Sequence, residues 1–260
     1  MAFVKLNGIV IHYLDEGPRE AKTIVFSNSL GTDFRIWNDL VKALKSEFRI
    51  IRYDNRGHGL SSCPLSPYKI DDHINDLSEL IDFLEISELS MVGLSVGGLI
   101  TQGLINTRPD IVQSAVLCDT AHKILNRETW NSRIAAVKES GLEILVDSTM
   151  ERWFSKKFKY DNPTEVEGAR NMFLCTPQEG YLGTCAAIRD ADFTTAAKKI
   201  KIPILCVVGD EDGSTPVDVV RETSEIIPGA RLAIINGAGH IPCLEKPNEL
   251  AILIKQFLND

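Results

Sequence analysis

A short stretch around Ser95 has the residue types and spacing of an activated nucleophile. Gly93-Leu94-Ser95-Val96-Gly97-Gly98 comes directly after the apolar segment ELSMVG and continues into GLITQGLINT. Gly-x-Ser-x-Gly is a weak pattern alone, but between a strand and a helix it predicts a nucleophile elbow, because so sharp a turn needs small residues around the serine. The Val96 N–H at the helix N-terminus would then face an oxyanion. The alternative is a glycine-rich turn with a solvated serine.

A serine hydroxyl needs a base, and the chain offers His240 in the order Ser, Asp, His. His240 follows the apolar run RLAIIN, and an acidic loop follows the run ILCVVG. Both groups would lie at carboxyl ends of strands, on the same edge as Ser95. We expect Asp212 to orient His240, because Asp210 sits directly at the strand end, where a structural role is favoured. Asp210 and then Glu211 remain as alternatives.

A second oxyanion donor is expected in the loop 27–32 after the third strand, and the backbone N–H of Leu30 is the candidate. The remaining histidines fit the role of base less well. His12 alternates within a hairpin strand, His73 begins a helix, and His122 stands where a substrate contact could form. The histidines are scattered singly, so no metal site is predicted. The loop 54–61 is interpreted as structural, since its Gly-x-Gly lacks the context of a dinucleotide site.

The elements that must position these residues alternate between strands and helices. An Asn7-Gly8 turn between 3–6 and 9–13 predicts a β-hairpin. Apolar runs without alternation are typical of strands buried on both faces of a parallel sheet, and helical spacing occurs between them. The strand runs are 23–27, 49–54, 89–93, 114–118, 204–209 and 231–235, and the helical runs are 36–44, 72–84, 216–227 and 245–258. The alternation predicts an α/β fold with a doubly wound, mostly parallel sheet.

One segment, 122–199, breaks this alternation. It contains helical patterns at 127–139, 142–154, 165–175 and 179–190, with no convincing strand. We expect a core formed by residues 1–121 and 200–260, with 122–199 inserted as a helical cap. Ligands bind at the carboxyl edge of such sheets, so the cap and the sheet would enclose the site.

Composition restricts the partners. The chain has 260 residues, with 28 Lys and Arg against 36 Asp and Glu, for a net charge of −8. That charge repels phosphates, so we expect no nucleic-acid partner and no membrane partner. No segment approaches the ~20 apolar residues that span a bilayer, and the first residues have no unbroken apolar region. We expect a monomer or weak homo-oligomer.

The cysteines indicate a reducing compartment. None forms a Cys-x-x-Cys pair, and two of them lie in apolar runs where a thiol behaves as a small hydrophobe. The six are Cys63, Cys118, Cys175, Cys185, Cys206 and Cys243. Free thiols in the cytoplasm are therefore expected.

The chain resembles the α/β-hydrolase superfamily over essentially its whole length, and within it the 3-oxoadipate enol-lactonases of the β-ketoadipate pathway. The stretches that carry the resemblance are GLSVGG, 170–193, CVVGDEDGSTP and GAGHIPC. The elbow and the histidine stretch occur across the superfamily, whereas 170–193 and GDEDGSTP are more particular to the lactonases. Asn28-Ser29 departs from the His-Gly that many relatives carry before the oxyanion residue.

The resemblance implies a carboxylic ester hydrolase of aromatic-compound catabolism that opens 3-oxoadipate enol-lactone, a small anionic lactone, without a cofactor. Ser95 would attack the carbonyl and form an acyl-enzyme that water releases. The acetate arm of the lactone needs a cation or several N–H donors inside the pocket. The candidates in the cap are Arg127, Arg133 and Arg152, with Trp130 or Trp153 as an apolar wall, and we expect Arg133 or Arg152 to contact the arm.

Other functions on the same scaffold remain open. They include a carboxylesterase, a different lactonase, a cofactor-free C–C bond hydrolase and a non-catalytic ligand receptor. Haloalkane dehalogenases and epoxide hydrolases are disfavoured, because they would place Asp where Ser95 stands. Turnover of an activated ester would distinguish an enzyme from a receptor. Comparing the enol-lactone with simple aryl esters would distinguish the possible enzymes from one another.

Overall fold

Eight strands form one sheet in the computed structural model, which describes residues 2–260. They are β1 (Ala2–Leu6), β2 (Ile9–Glu16), β3 (Thr23–Ser27), β4 (Arg49–Tyr53), β5 (Leu89–Leu94), β6 (Val112–Cys118), β7 (Ile204–Gly209) and β8 (Arg231–Ile235). Their order is β1-β2-β4-β3-β5-β6-β7-β8, with β2 antiparallel to β1 and β4 and every later pair parallel. The predicted doubly wound, mostly parallel sheet is confirmed.

Helices cover the sheet and extend beyond its edge. Six lie outside the predicted cap: α1 (Asn38–Leu44), α2 (Ile70–Phe83), α3 (Val96–Thr107), α10 (Val217–Ile226), α11 (Pro242–Glu245) and α12 (Pro247–Asn259). Six more lie between β6 and β7: α4 (Arg127–Ser140), α5 (Glu143–Trp153), α6 (Lys156–Asp161), α7 (Pro163–Leu174), α8 (Gln178–Asp190) and α9 (Thr194–Ala197). None of the helices in residues 2–260 is long and apolar enough to cross a membrane.

Two predicted helices are interrupted. The run 36–44 is divided between a 3-10 helix, Phe34–Trp37, and α1. The 3-10 helix begins at Phe34 because Asp33 caps it by accepting the Arg35 N–H at 2.9 Å. The run 245–258 is divided between α11 and α12, since Pro247 begins a new helix and Lys246 before it is not helical. The short helices α6 and α9 have too few residues for a clear periodicity, and the sequence patterns did not indicate them.

The core follows from the strand order. The strands β3, β4 and β7 are buried along their whole length between the helical layers. The expectation of burial on both faces is wrong for β8, which is the last strand of the sheet and leaves Ile234 38% exposed. Because β3, β5, β6, β7 and β8 run parallel, the loops at their carboxyl ends lie along one edge.

The helices of the segment 122–199 pack mainly against one another. The most extensive packing is between α4 and α8 and between α5 and α7, and α8 also contacts α2 of the sheet layers. The segment leaves the sheet after β6 and returns to it at β7, its neighbour. It therefore stands over the carboxyl edge at the point where β5 delivers Ser95.

Candidate active site

Ser95 lies in a strained turn between β5 and α3. Its φ is +56° and its ψ is −116°, values that a residue with a side chain adopts only where the surroundings enforce them. Its N–H donates to the Cys118 carbonyl at 3.0 Å, and its own carbonyl accepts from Thr120 Oγ1 at 2.6 Å. A Cβ at Gly97 would lie 2.1 Å from the Ser27 carbonyl oxygen. The glycine lets α3 start directly against β3, and this close packing fixes the turn.

The His240 ring is held by a carboxylate. Its Nδ1 lies 2.9 Å from Asp212 Oδ2, and both side chains are buried. Asp212 also accepts from the Ser214 N–H at 2.7 Å and from Thr215 Oγ1 at 2.7 Å. Burial alone would raise the pKa of Asp212, but the charge and hydrogen bond of His240 and these donors bring it below the ordinary value. Asp212 can therefore stay ionised and fix the Nδ1–H tautomer, which leaves Nε2 free as a base.

The two alternative acids have other partners. Asp210 Oδ1 accepts from the Gly237 N–H at 2.6 Å and so ties the loop after β7 to the loop after β8. Glu211 Oε2 accepts from the Lys156 N–H at 3.1 Å, at the start of α6. Asp212 is the acid that the structure brings to His240.

The loop after β3 places Leu30 at the same cavity as Ser95. The Leu30 N–H has no hydrogen-bond acceptor in the part of the chain that the structure describes. The Ser29 carbonyl accepts from the Thr32 N–H and hydroxyl, and the Gly31 N–H donates to His58 Nε2 at 3.0 Å. The loop is thus held from both sides while the Leu30 N–H stays available to an anion.

The cavity above Ser95 has a volume of about 190 Å³. It lies between the carboxyl edge and the helices α4, α5, α7 and α8. Its walls combine apolar side chains with hydroxyl, imidazole and guanidinium groups, a mixture that suits a small polar molecule. Among the residues predicted for the site, Leu30, Ser95, Trp130, Arg133, Arg152, Trp153 and His240 line it. Val96 is buried beside Ser95 as the first residue of α3.

Two guanidinium groups enter this cavity without carboxylate partners among residues 2–260. Arg133 lies over the Trp130 ring, 4.8 Å from its centroid. Arg152 Nη2 donates to Thr149 Oγ1 at 3.2 Å. Burial, together with the positive charge of Arg133, lowers the pKa of Arg152. A pair of partly buried like charges is costly without a counter-ion, so the cavity is electrostatically suited to an anion.

Several residues considered from the sequence lie elsewhere. Arg127 pairs with Asp190 on the surface, away from the cavity. The His122 ring bonds Thr223 Oγ1 at 3.0 Å, and His73 is buried against Thr184. His12 bonds Asp54 on the far side of the loop that carries Leu30.

Asp119 is a residue that the sequence reasoning missed. It directly follows β6, it is fully buried, and its Oδ1 accepts from the Gly209 N–H at 2.9 Å. Ligand atoms of Asp119, Asp212 and His240 lie within 4.8 Å of one another. Burial, and the nearby Asp212 charge, raise the pKa of Asp119 well above its ordinary value. The sequence signal that could have identified Asp119 is its position at the carboxyl end of β6, the strand that pairs with β7.

The same three residues form the one cluster in residues 2–260 with the spacing of a metal site. Asp212 and His240 already bond each other, and Asp212 has donors from Ser214 and Thr215. We therefore interpret the cluster as a hydrogen-bonded acid–base group. A protonated Asp119 can donate to Asp212, since two carboxyl groups this close do not both ionise readily.

Comparisons with known proteins identify the family of this chain and relatives with a named activity. Residues 22–247 match the family described as the alpha/beta hydrolase fold. Two relatives from Acinetobacter baylyi are named 3-oxoadipate enol-lactonase 2, 33% identical over 92% of this chain and 89% of that protein, and 3-oxoadipate enol-lactonase 1, 34% identical over 93% and 90%. The crystal structure of the enol-lactonase from Burkholderia xenovorans LB400 superposes with a TM-score of 0.96, at 35% identity, over 100% of both chains. The resemblance drawn from the sequence is confirmed.

Proposed function

The chain belongs to the α/β-hydrolase family, and we propose that within it the protein opens a small anionic enol-lactone of the 3-oxoadipate type. The observation that carries the proposal is the pair Arg133 and Arg152, which lines the same cavity as Ser95 and His240. A lactone with a carboxylate arm supplies the counter-ion that this pair lacks, and a neutral ester does not. The names of the enol-lactonase relatives support the same substrate class.

We propose that Ser95 is the nucleophile, His240 the base and Asp212 its orienting acid. His240 Nε2 takes the Ser95 proton as Oγ attacks the lactone carbonyl, and Asp212 stabilises the imidazolium that results. The N–H groups of Leu30 and Val96 would receive the oxyanion. Collapse of this intermediate expels the ring oxygen, which takes the proton held by His240 and departs as an enol. The enol then becomes a ketone, and His240 is neutral again.

Release of the product repeats the chemistry with water. His240 takes a proton from a water molecule, which attacks the acyl-enzyme and returns the proton to Ser95 Oγ. Every step uses side chains and backbone N–H groups of this chain together with water. Arg133 and Arg152 would hold the carboxylate arm, and Trp130 and Trp153 would form the apolar wall beside the ring.

The segment 122–199 is proposed to act as the cap of this site, since its helices carry the arginine and tryptophan residues. We also propose a cytoplasmic location, supported by six free cysteines and by the absence of a membrane-spanning helix among residues 2–260. A monomer or weak homo-oligomer remains our expectation for the assembly.

The experiment is hydrolysis of 3-oxoadipate enol-lactone, followed by loss of ultraviolet absorbance, with wild type and Ser95→Ala. We expect rapid turnover by the wild type and a loss of at least about 10³-fold in Ser95→Ala. Cleavage of aryl esters without turnover of the lactone would keep the serine hydrolase and remove the lactonase. Turnover of neither substrate would favour a ligand receptor.

A further inference from the structure

His58 is a fully buried histidine that takes no direct part in the proposed hydrolysis. It lies in the loop 54–61, between Gly57 and Gly59, which both have a positive φ. A Cβ at Gly57 would lie 2.4 Å from Gly180 Cα, so this loop packs backbone against backbone on α8. The glycines and this close contact hold the His58 ring in one place.

Both ring nitrogens of His58 bond backbone groups. Nε2 lies 3.0 Å from the Gly31 nitrogen, and Nδ1 lies 3.1 Å from the Arg56 carbonyl oxygen. A backbone N–H can only donate, so Nε2 is the acceptor, and the one proton of the neutral ring is on Nδ1, where it donates to Arg56. Burial lowers the pKa of His58, which favours the neutral form that these two bonds need.

The bond from Gly31 to His58 restrains the rigid peptide group between Leu30 and Gly31. The preceding peptide group, between Ser29 and Leu30, contains the N–H proposed to receive the oxyanion. Its carbonyl accepts from the Thr32 N–H at 3.3 Å and from Thr32 Oγ1 at 2.8 Å, on the side opposite to its N–H. Both peptide groups around Leu30 are therefore restrained, one by Thr32 and the other by His58.

Donors that are already in place stabilise a transition state because they need not reorient as charge develops. We propose that His58 is a positioning residue of the oxyanion site, which holds the Gly31 N–H and so keeps the Leu30 N–H in place. Without this acceptor the Gly31 N–H would be a buried donor without a partner, and the loop would shift to satisfy it. The inference rests on the role of Leu30 in the proposed function, but it applies to every ester that Ser95 attacks, because each forms the same oxyanion.

Two amide variants separate the two bonds of the ring, since an Asn amide reaches about as far as Nδ1 and a Gln amide about as far as Nε2. His58→Gln can accept from Gly31, whereas His58→Asn can bond only Arg56. With 4-nitrophenyl acetate we expect His58→Gln to keep the acylation rate within about threefold of wild type. His58→Asn should lower that rate by about 10–100-fold with little change in KM, a smaller loss than deletion of an oxyanion donor causes.

His73→Asn is the matched control. His73 is also a buried imidazole, but its ring bonds Thr184 of α8, at 3.4 Å, and not the loop of Leu30. The control removes the same volume from the protein and should leave the acylation rate within about threefold of wild type. Equal losses in His58→Asn and His58→Gln, or in His58→Asn and His73→Asn, would mean that the ring only supports the fold, and would overturn the proposal.

A measurement on the wild type decides the matter if His58→Asn does not fold. NMR of the histidine nitrogens, with the His58 signals assigned by their loss in His58→Gln, should show a protonated Nδ1 and an unprotonated Nε2. An Nε2–H tautomer or an imidazolium at neutral pH would overturn the proposal, because neither can accept from Gly31. Failure to open the lactone, with the expected results on the ester, would remove the proposed substrate and leave the role of His58 intact. Failure of the wild type to cleave the ester would overturn both.

Discussion

The His240 N–H donates to the Trp153 carbonyl at 2.8 Å, so the proposed base is bonded to the last residue of α5 as well as to the sheet edge. Glu245 makes a second connection between the same segments. Its Oε1 accepts from the Gly239 N–H at 2.7 Å, and its Oε2 accepts from the Ser155 N–H and hydroxyl at 3.1 and 2.6 Å. A displacement of these helices would therefore move His240.

This connection predicts the effect of Glu245→Gln. The amide keeps one oxygen acceptor where the carboxylate has two, so the bonds to either Gly239 or Ser155 are lost. We expect kcat to fall about tenfold with little change in KM, because one hydrogen bond to a charged group contributes about 1.5 kcal/mol. Steady-state kinetics on the lactone measures both constants.

Glu211→Gln is the matched control, because Glu211 also joins the sheet edge to the start of α6 but, within residues 2–260, accepts only from the Lys156 N–H. It should leave kcat unchanged. If kcat fell equally in the two variants, the cause would be weaker contact between the sheet edge and the helices, and not a displacement of His240.

A second prediction distinguishes the acids of the loop after β7. Asp212→Asn removes the carboxylate that fixes the His240 tautomer, and we expect kcat to fall about 10³–10⁴-fold with the fold retained. Asp210→Asn keeps an oxygen acceptor for the Gly237 N–H and should change kcat by no more than a few-fold. The reverse ranking in single-turnover acylation would make Asp210 the orienting acid.

A third prediction concerns the anionic arm. Arg133→Gln and Arg152→Gln should each raise KM for the lactone by roughly 10–150-fold, the range expected for a lost charged hydrogen bond. KM for a neutral aryl ester should stay the same, since that substrate offers no anion. Arg127→Gln, at a surface pair with Asp190, serves as the control and should change neither value. Equal losses on both substrates would mean that the arginines shape the cavity without binding an anion.

Much of the site could be predicted because strand and helix order alone brings residues together. Ser95, Asp212 and His240 each follow an apolar run, and parallel strands deliver such residues to one edge. Asp119 and Glu245 could not be found in this way. Their roles depend on contacts with Gly209 and Ser155, about 90 residues distant in the chain, and no local pattern records such contacts.

The helices could also be predicted from local patterns, but the way they pack against one another could not. Periodicity placed α4, α5, α7 and α8 within two residues of their observed ends, because each has a long helical pattern. The pattern alone does not show that α5 brings Arg152 toward Arg133 of α4. The approach of these two guanidinium groups depends on how the helices pack over the sheet edge. A bound anion would compensate their two positive charges.

A fourth prediction contrasts two glycines of helices. Gly97→Ala should destabilise the protein by about 1–3 kcal/mol or more, because the new Cβ meets the Ser27 carbonyl and pushes α3 away from β3. Gly168→Ala should stabilise it by about 0.5–1 kcal/mol, since Gly168 is exposed within α7 and no other described residue lies within 4 Å of the added atom. Urea unfolding measures both. A stable Gly97→Ala protein with full activity would mean that the elbow does not depend on this contact.

The last prediction concerns the pH dependence that Asp119 produces. Burial raises its pKa above that of the unfolded chain, which is about 4, so folding takes up a proton at this group. Its contribution to stability is complete below the unfolded pKa and is lost as the pH rises toward the folded pKa. Asp119→Asn is neutral at every pH, and its amide can still accept from Gly209 and donate to Asp212.

The melting temperature of Asp119→Asn should therefore increase relative to wild type between pH 5 and pH 8, as followed by circular dichroism. Asp110→Asn is the control of opposite sign, because the hydrogen bond from Arg108 lowers the pKa of Asp110 on the surface. That variant should show no gain as the pH rises. A constant difference between Asp119→Asn and wild type would mean that Asp119 is ionised beside Asp212 throughout this range. The proposed base would then act between two negative charges, and the Asp119 hydrogen bond to Asp212 would not exist.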